Sequence, residues 1–255
     1  MPAATEARTV RPVLGATIDV LGWDDALQRI EAWADRRAHR YVCICNAHSA
    51  VTASQDSSFR AAVDGADMAT PDGAPVAWML RRLGHAGQQR INGPDLMWRL
   101  CERAAAQGRA IYLLGSTEQT LAALQARLRA QWPALVIAGA MSPPFRPLTD
   151  DEDRALVDTI NASGAGLVFV SLGCPKQERW MHAHRDRIAG VMLGVGAAFD
   201  FHAGTVARAP GWMRDHGLEW LHRLVSEPRR LWRRYLVTNT AFIVGAARQL
   251  LLGRR

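Results

Sequence analysis

Along the first 200 residues, short apolar runs alternate with longer stretches in which apolar positions recur every three or four residues. The runs VLGATIDV, YVCICNA, AIYLLGS, LVIAGAM, GLVFVSLG and GVMLGVGAAF have strand length, and the longer period predicts helices near 24–37, 94–107, 117–131 and 150–162. Strand and helix in alternation predict an α/β fold. Runs such as GLVFVSLG are apolar on both faces, as parallel strands covered by helices on both sides must be. Asp24, Ser116, Thr117 and Thr149 stand where helix N-caps belong, and Pro94 suits a first helical position. The expected architecture over residues 1–200 is a doubly wound, mostly parallel sheet.

From residue 201 the pattern changes. Leu218, Leu221, Leu224, Val225, Leu231, Trp232, Tyr235 and Leu236 recur at helical spacing with Arg223, Arg229, Arg230, Arg233 and Arg234 between them. Such a segment is amphipathic and basic. Pro228 is expected to open a second helix after Ser226, giving a helical hairpin or two joined helices within residues 201–255. The last stretch, LVTNTAFIVGAARQLLL, is interrupted by polar residues and reads as too short to span a bilayer, so it is expected to lie on a surface.

Charge sharpens this division. Residues 1–200 hold 21 basic and 21 acidic side chains, whereas the last 55 hold ten arginines against Asp215, Glu219 and Glu227. A neutral body with a basic appendage predicts an anionic partner at one end, taken here as the inner membrane surface, reached through residues 204–255. Lys176 is the sole lysine. The N-terminus carries no apolar signal run, and the four cysteines form no C-x-x-C pair, so a cytoplasmic, reducing location is expected. Cys43 and Cys45, expected to point to opposite faces of a strand, read as buried free thiols rather than metal ligands.

Ligands of open α/β sheets gather at the carboxyl ends of the strands, where loops lead into helix N-termini that hold phosphate. Three loops fit. LLGSTEQT offers Gly115 and Ser116, VSLGCPKQE adds Lys176 and Gln177, and GVGAAFDFHAG supplies Gly196 for close approach with Asp200 beyond it. No G-x-G-x-x-G follows the first strand and no P-loop signature is present, which weakens dinucleotide and P-loop readings. Asp72 in ATPDGAPVAW sits at a strand-to-helix turn, where helix capping and general-base chemistry both fit. Arg90, Asn92 and Asp95 form a second polar cluster before a helix, and Asn46 and His48 end the run YVCICNA. The acidic run 150–153 reads as a solvated helix N-terminus. Outside it no D-x-D pair stands in the chain, so no obligatory metal or other cofactor is expected.

Taken in order, N-A-H-S-A-V-T-A, T-P-D-G-x-P-V, R-I-N-G-P-D-L, L-L-G-S, L-G-C-P-K-Q-E-R-W, G-V-G-A-A-F-D-F and R-A-P-x-W-M-x-x-x-G-L-E-W-L-x-R-L resemble the WecG/TagA/CpsF glycosyltransferases over nearly the whole chain. The resemblance implies transfer of a hexose from a UDP-sugar to a polyprenyl-diphosphate-linked acceptor in cell-surface polysaccharide synthesis. It implies that Asp72 is the base, that Asn46, Arg90 and Gln177 line the active-site pocket, that Asp200 lies near the nucleotide, and that the tail completes the site on the membrane. Family members acting on teichoic-acid precursors read T-x-N where this chain has Ile44-Cys45-Asn46. The missing hydroxyl, with CICNAHSAVTA, resembles the branch that makes xanthan-type repeats, so a glucose-type donor is expected to be accepted at least as readily as N-acetylmannosamine.

The expected reaction is an inverting displacement by a peripheral enzyme. Helix N-termini after Gly115 and Pro175, with tail arginines Arg208, Arg214, Arg223 and Arg230, would meet the departing diphosphate charge. Two other classes are compatible with parts of the chain. A nucleotide-dependent oxidoreductase with an atypical cofactor loop would bind NAD and not UDP, and a nucleic-acid-binding protein would show salt-sensitive binding to DNA but not to anionic vesicles. Both explain fewer residues, and no nucleic-acid partner is expected. Donor, acceptor linkage and homo-oligomeric state are left open by the sequence.

Overall fold

The computed structural model describes residues 8–252. The chain opens with β1 (Val10–Val13) and β2 (Ala16–Asp19), which pair antiparallel as a separate two-stranded sheet. The run VLGATIDV is therefore not one strand of the main sheet. Leu14 and Gly15 both take positive φ, 51° and 89°, the combination that a two-residue hairpin turn demands and that glycine adopts without penalty.

The rest alternates as expected: α1 (Trp23–Asp35), β3 (Arg40–Cys45), α2 (Ala47–Gln55), α3 (Ser57–Asp64), β4 (Met68–Pro71), α4 (Gly73–Arg82), α5 (Gly93–Gln107), β5 (Ile111–Gly115), α6 (Glu118–Gln131), β6 (Ile137–Met141), α7 (Asp150–Ala162), β7 (Leu167–Ser171), α8 (Lys176–His184), β8 (Val191–Gly194) and α9 (Ala198–Ala203). The main sheet has strand order β4-β3-β8-β7-β5-β6, all parallel. Thr117 caps α6 and Thr149 caps α7 in a capping box with Glu152. Ser116 and Asp24 are not caps: Ser116 lies in the turn before Thr117, and Asp24 is in the first turn of α1, behind Gly22.

Alternate strand residues feed two cores. Val168 and Val170 pack on the side of α2, α3, α4, α7 and α8, whereas Leu167 and Phe169 pack on the side of α1, α5, α6 and α9. Cys43 and Cys45 lie together in the first core, because residues two apart share one face of a strand. Both are buried free thiols.

Three further helices follow, α10 (Gly211–Asp215), α11 (Glu219–Ser226) and α12 (Pro228–Leu252). Pro228 opens α12 directly after α11, as its rigid φ and missing N–H favour. One face of α12 packs on α2 and the hairpin: Phe242 and Ala246 join the first core, and the Gln249 amide donates to Pro12 O and accepts from Leu14 N. By length and composition the stretch Leu231–Leu252 is long and apolar enough to cross a membrane. This is longer than the stretch from Leu236 that the apolar pattern marks, because the helix runs back past Leu236 to Pro228. The division expected at residue 200/201 falls inside α9, which packs on α5 and α6.

Candidate active site

Every strand of the main sheet points its carboxyl end to the same edge. After β5 the chain moves outward to β6, and after β7 it returns the other way to β8, through α6 and α8 on opposite faces. Adjacent strands whose connections diverge leave a crevice, the position where open α/β sheets take ligands. Gly115, Ser116 and Ser171 flank it. The Ser116 amide donates to Ser171 O at 3.0 Å, and the Ser171 hydroxyl donates to Gly196 O at 2.7 Å, joining the ends of β5, β7 and β8. Gly115 has φ 114°, and a Cβ there would stand 2.3 Å from Ser171 O, so any side chain would drive the two turns apart. Of the two helix N-termini at this crevice, α6 is capped by Thr117, whereas α8 has no side-chain cap. Lys176, its first residue, is exposed. The preceding Cys174–Pro175 peptide is cis.

Across the sheet, β3 and β4 end side by side, Cys45 opposite Pro71. The next residues on these strands are Asn46 and Asp72, and the Asp72 amide donates to Cys45 O at 2.9 Å. Asn46 accepts from His48 N and Ser49 N as the N-cap of α2, so its carbonyl oxygen is engaged and its amide nitrogen is not part of the cap. Asp72 occupies the N-cap position of α4 without making a side-chain cap hydrogen bond. Burial pushes its carboxyl up to about pH 6, against the opposing pull of Arg90, and Glu219 adds to the rise. Solvent still reaches the side chain in part. A carboxylate with this affinity for protons, enclosed yet open at one side, is suited to accept a proton near neutral pH.

Arg90 is brought beside Asp72 by the Ile91 amide, which donates to Pro71 O at 2.9 Å. The appendage then covers this flank. Arg90 pairs with Glu219 of α11 at 2.9 Å, Arg208 with Asp95 at 2.6 Å, and Asp95 also accepts from Asn92 at 2.7 Å. Arg208 stands 3.7 Å from Glu219 and Arg214 3.7 Å from Asp95. Arg223 lies over the Phe201 ring and acts on the Asp72 carboxyl. Among the described residues, the buried Nε groups of Arg208, Arg214 and Arg223 have no hydrogen-bond partner. Unsatisfied guanidinium donors of this kind suit an anion.

Gln177 lies between the two flanks, its amide nitrogen donating to Gly194 O at the end of β8, where Gly196 follows. Asp200 is half-buried on α9, whose C-terminus bends back so that Thr205 N and Val206 N donate to its backbone oxygen. Of the expected residues, Asn46, Asp72, Arg90, Arg208, Arg214 and Arg223 share one cluster. Gly115, Ser116, Lys176 and Gly196 belong to the crevice side. The Arg230 side chain lies outside the described residues. Sequence reasoning missed Glu219 as the partner of Arg90, and it placed Asp95 in a cluster with Arg90 and Asn92 without its partner Arg208. Among the described residues no three His, Cys, Asp or Glu side chains gather at metal-binding spacing.

A buried carboxyl on one flank of the strand ends and glycine-bearing turns on the other belong to a doubly wound α/β protein. Residues 11–255 match the glycosyl transferase WecG/TagA/CpsF family, and the chain belongs to that family. It is a glycosyltransferase of cell-surface polysaccharide synthesis.

Proposed function

We propose that this enzyme catalyses inverting transfer of a hexose from a UDP-sugar, of glucose or N-acetylmannosamine type, to the sugar of a polyprenyl-diphosphate-linked acceptor. The reading is carried by one observation: Asp72, raised to about pH 6 and without a capping hydrogen bond, shares a cluster with Arg90, Arg208, Arg214 and Arg223. Asp72 takes the proton of the acceptor hydroxyl. The oxygen's electron pair forms the new bond to the anomeric carbon, and the bond to the nucleotide diphosphate breaks with its electrons on the leaving oxygen.

The departing charge needs cations or aimed dipoles in a dry site. The Nε groups of the three tail arginines, which make no hydrogen bond among the described residues, and the uncapped N-terminus of α8 support giving them that task, with no obligatory metal. Arg230 stays a candidate by its place on α12 alone. The donor spans from the β5–β7 crevice towards Asp72, three strand spacings from β4 to β7 or about 14 Å. Asn46, Gln177, Gly196 and Asp200 contact it between those ends. The appendage begins after Gly204, beyond α9, and holds the enzyme on the inner face of the cell membrane as a peripheral protein. Incubating the full chain with a panel of UDP-sugars and polyprenyl-diphosphate-linked acceptors tests the reading, and transfer from none of them overturns it.

A further inference from the structure

Gln177 and its chain neighbour Glu178 are both buried in the first turn of α8, 4% and 1% exposed. The Gln177 amide nitrogen has two N–H groups and two acceptors: Gly194 O at 3.1 Å and Glu178 Oε1 at 3.0 Å. With the amide reversed, the Gln177 oxygen would face the Gly194 carbonyl oxygen and the ionised Glu178 carboxylate, both repulsive. The amide orientation is thereby fixed. Its oxygen, Oε1, is buried and has no partner among the described residues. It lies under the turn at Gly196, where an added Cβ would stand 4.0 Å away. A buried acceptor left open in this way costs free energy unless a ligand donor meets it.

We infer that Glu178 is a positioning residue: it locks the Gln177 amide with its oxygen facing the site, making Gln177 an acceptor for a hydroxyl or acetamido N–H of the donor sugar. The inference rests on the glycosyltransferase reading above for the identity of that ligand. Glu178 touches no substrate and acts through Gln177. Burial pushes its carboxyl pKa up, and hydrogen bonds from Gln177 and Cys174 draw it back. Protonated or ionised, the carboxyl keeps an oxygen that can accept from Gln177.

The test is a double-mutant cycle on the full chain, with UDP-glucose and UDP-N-acetylmannosamine as donors and a polyprenyl-diphosphate-linked acceptor. Glu178→Met frees one N–H of the amide and is expected to raise the donor KM about tenfold, the scale of one hydrogen bond, with kcat changed little. Glu178→Gln, which keeps an accepting oxygen, is expected to restore KM to within about twofold of the parent. In a Gln177→Met background, Glu178→Met is expected to add almost nothing, because the group it positions is gone. Thermal unfolding of each variant accompanies the kinetics. Should Glu178→Met fail to fold, Glu178→Asp keeps the charge and withdraws the oxygen, and it replaces Met in the cycle.

Equal losses from the Glu178 change in both backgrounds, or an unchanged donor KM, would overturn the inference while leaving the enzyme a glycosyltransferase. A wild-type protein that transfers from no UDP-sugar sinks the reading beneath it, and titration of UDP-glucose binding to the same variants then decides the positioning role. Binding weakened by Glu178→Met only when Gln177 is present supports it. Binding that is absent, or insensitive to both residues, rejects it.

Discussion

Arg90 and Glu219 are 129 residues apart in sequence, yet Arg90 Nη2 donates to Glu219 Oε2 at 2.9 Å, beside the Asp72 carboxyl. The pair does two things. It ties α11 to the rim of the recess, and it sets the charge that Asp72 feels, because Arg90 favours the ionised form and Glu219 opposes it. Appendage and body therefore share one electrostatic unit at the proposed base, with Asp95 holding Arg208 a short distance away.

Removing the negative charge at Glu219 should lower the Asp72 pKa, since one of the causes raising it disappears and Arg90 is released to act on Asp72 alone. In Glu219→Gln, the acid limb of the kcat/KM profile is expected to move to lower pH, from its wild-type position near pH 6. The loss of a charged hydrogen bond costs about 1.5–3 kcal/mol of stability. A pH profile of the variant, read beside its unfolding curve, checks both. An unmoved acid limb would separate Glu219 from the base.

Asp72→Asn should lower turnover about 10²-fold or more, the scale of losing a general base, with UDP binding nearly unchanged. Stability should change in the opposite direction. The folded carboxyl is raised from 3.8 to about 6, so between those values the folded chain keeps a proton that the unfolded chain has lost. Stability falls as pH rises through that window, and above it the ionised, enclosed carboxylate is a net cost. Replacing it by a neutral amide is expected to recover on the order of 2 kcal/mol at pH 7. A variant that is inactive and harder to melt fits a functional carboxylate. Near-wild-type turnover in a folded variant would make Asp72 structural.

Donor choice is the third test. Ile44 takes the position at which the resemblance expects a threonine in teichoic-acid-type members, and its side chain, turned into the core shared with α1 and α5 and 7% exposed, offers no hydroxyl to a ligand. A pocket without that hydroxyl is expected to use UDP-glucose at least as readily as UDP-N-acetylmannosamine when the two compete in one reaction. Exclusive use of the second sugar would overturn the branch assignment.

The strands buried on both faces were legible because burial on two sides leaves unbroken apolar runs, as in Leu167–Ser171. The strand β4 was not predicted as a run, since Met-Ala-Thr-Pro is four residues long and ends on a proline. The hairpin was hidden because Leu14–Gly15 sits inside what looks like one apolar segment. Motifs named Asp72, Arg90 and Gln177, yet the groups that set their behaviour were out of reach. Glu219 becomes a neighbour of Arg90 only through the fold of the appendage. Glu178 is not legible from the sequence because adjacent side chains on a helix ordinarily face apart, and only the hydrogen bond from the Gln177 amide to the Glu178 carboxyl joins these two.

The last prediction concerns the outer face of α12. Leu236, Val237, Ile243, Leu251 and Leu252 are exposed, on a helix whose opposite face is held by Phe242 and Ala246 in the core. Trp212, Trp220 and Trp232 are exposed on the same appendage, which carries the chain's whole excess of arginine. Apolar side chains, tryptophans and cations gathered in one segment match the requirements of an anionic bilayer surface. Deleting the appendage would confuse two effects, because Phe242 and Ala246 also cover α2. Point changes avoid this. Leu236 and Ile243 are 61% and 68% exposed, so Leu236→Asp with Ile243→Asp should alter unfolding by about 1 kcal/mol or less, twice the range of a single surface change. The same pair is expected to abolish flotation with vesicles containing anionic lipid and to lower transfer to a polyprenyl-linked acceptor, while transfer to a short-chain, water-soluble acceptor persists. Flotation of the double variant at the wild-type level would remove this face from the membrane contact. Equal loss of transfer to both acceptors would place the damage in the active site instead.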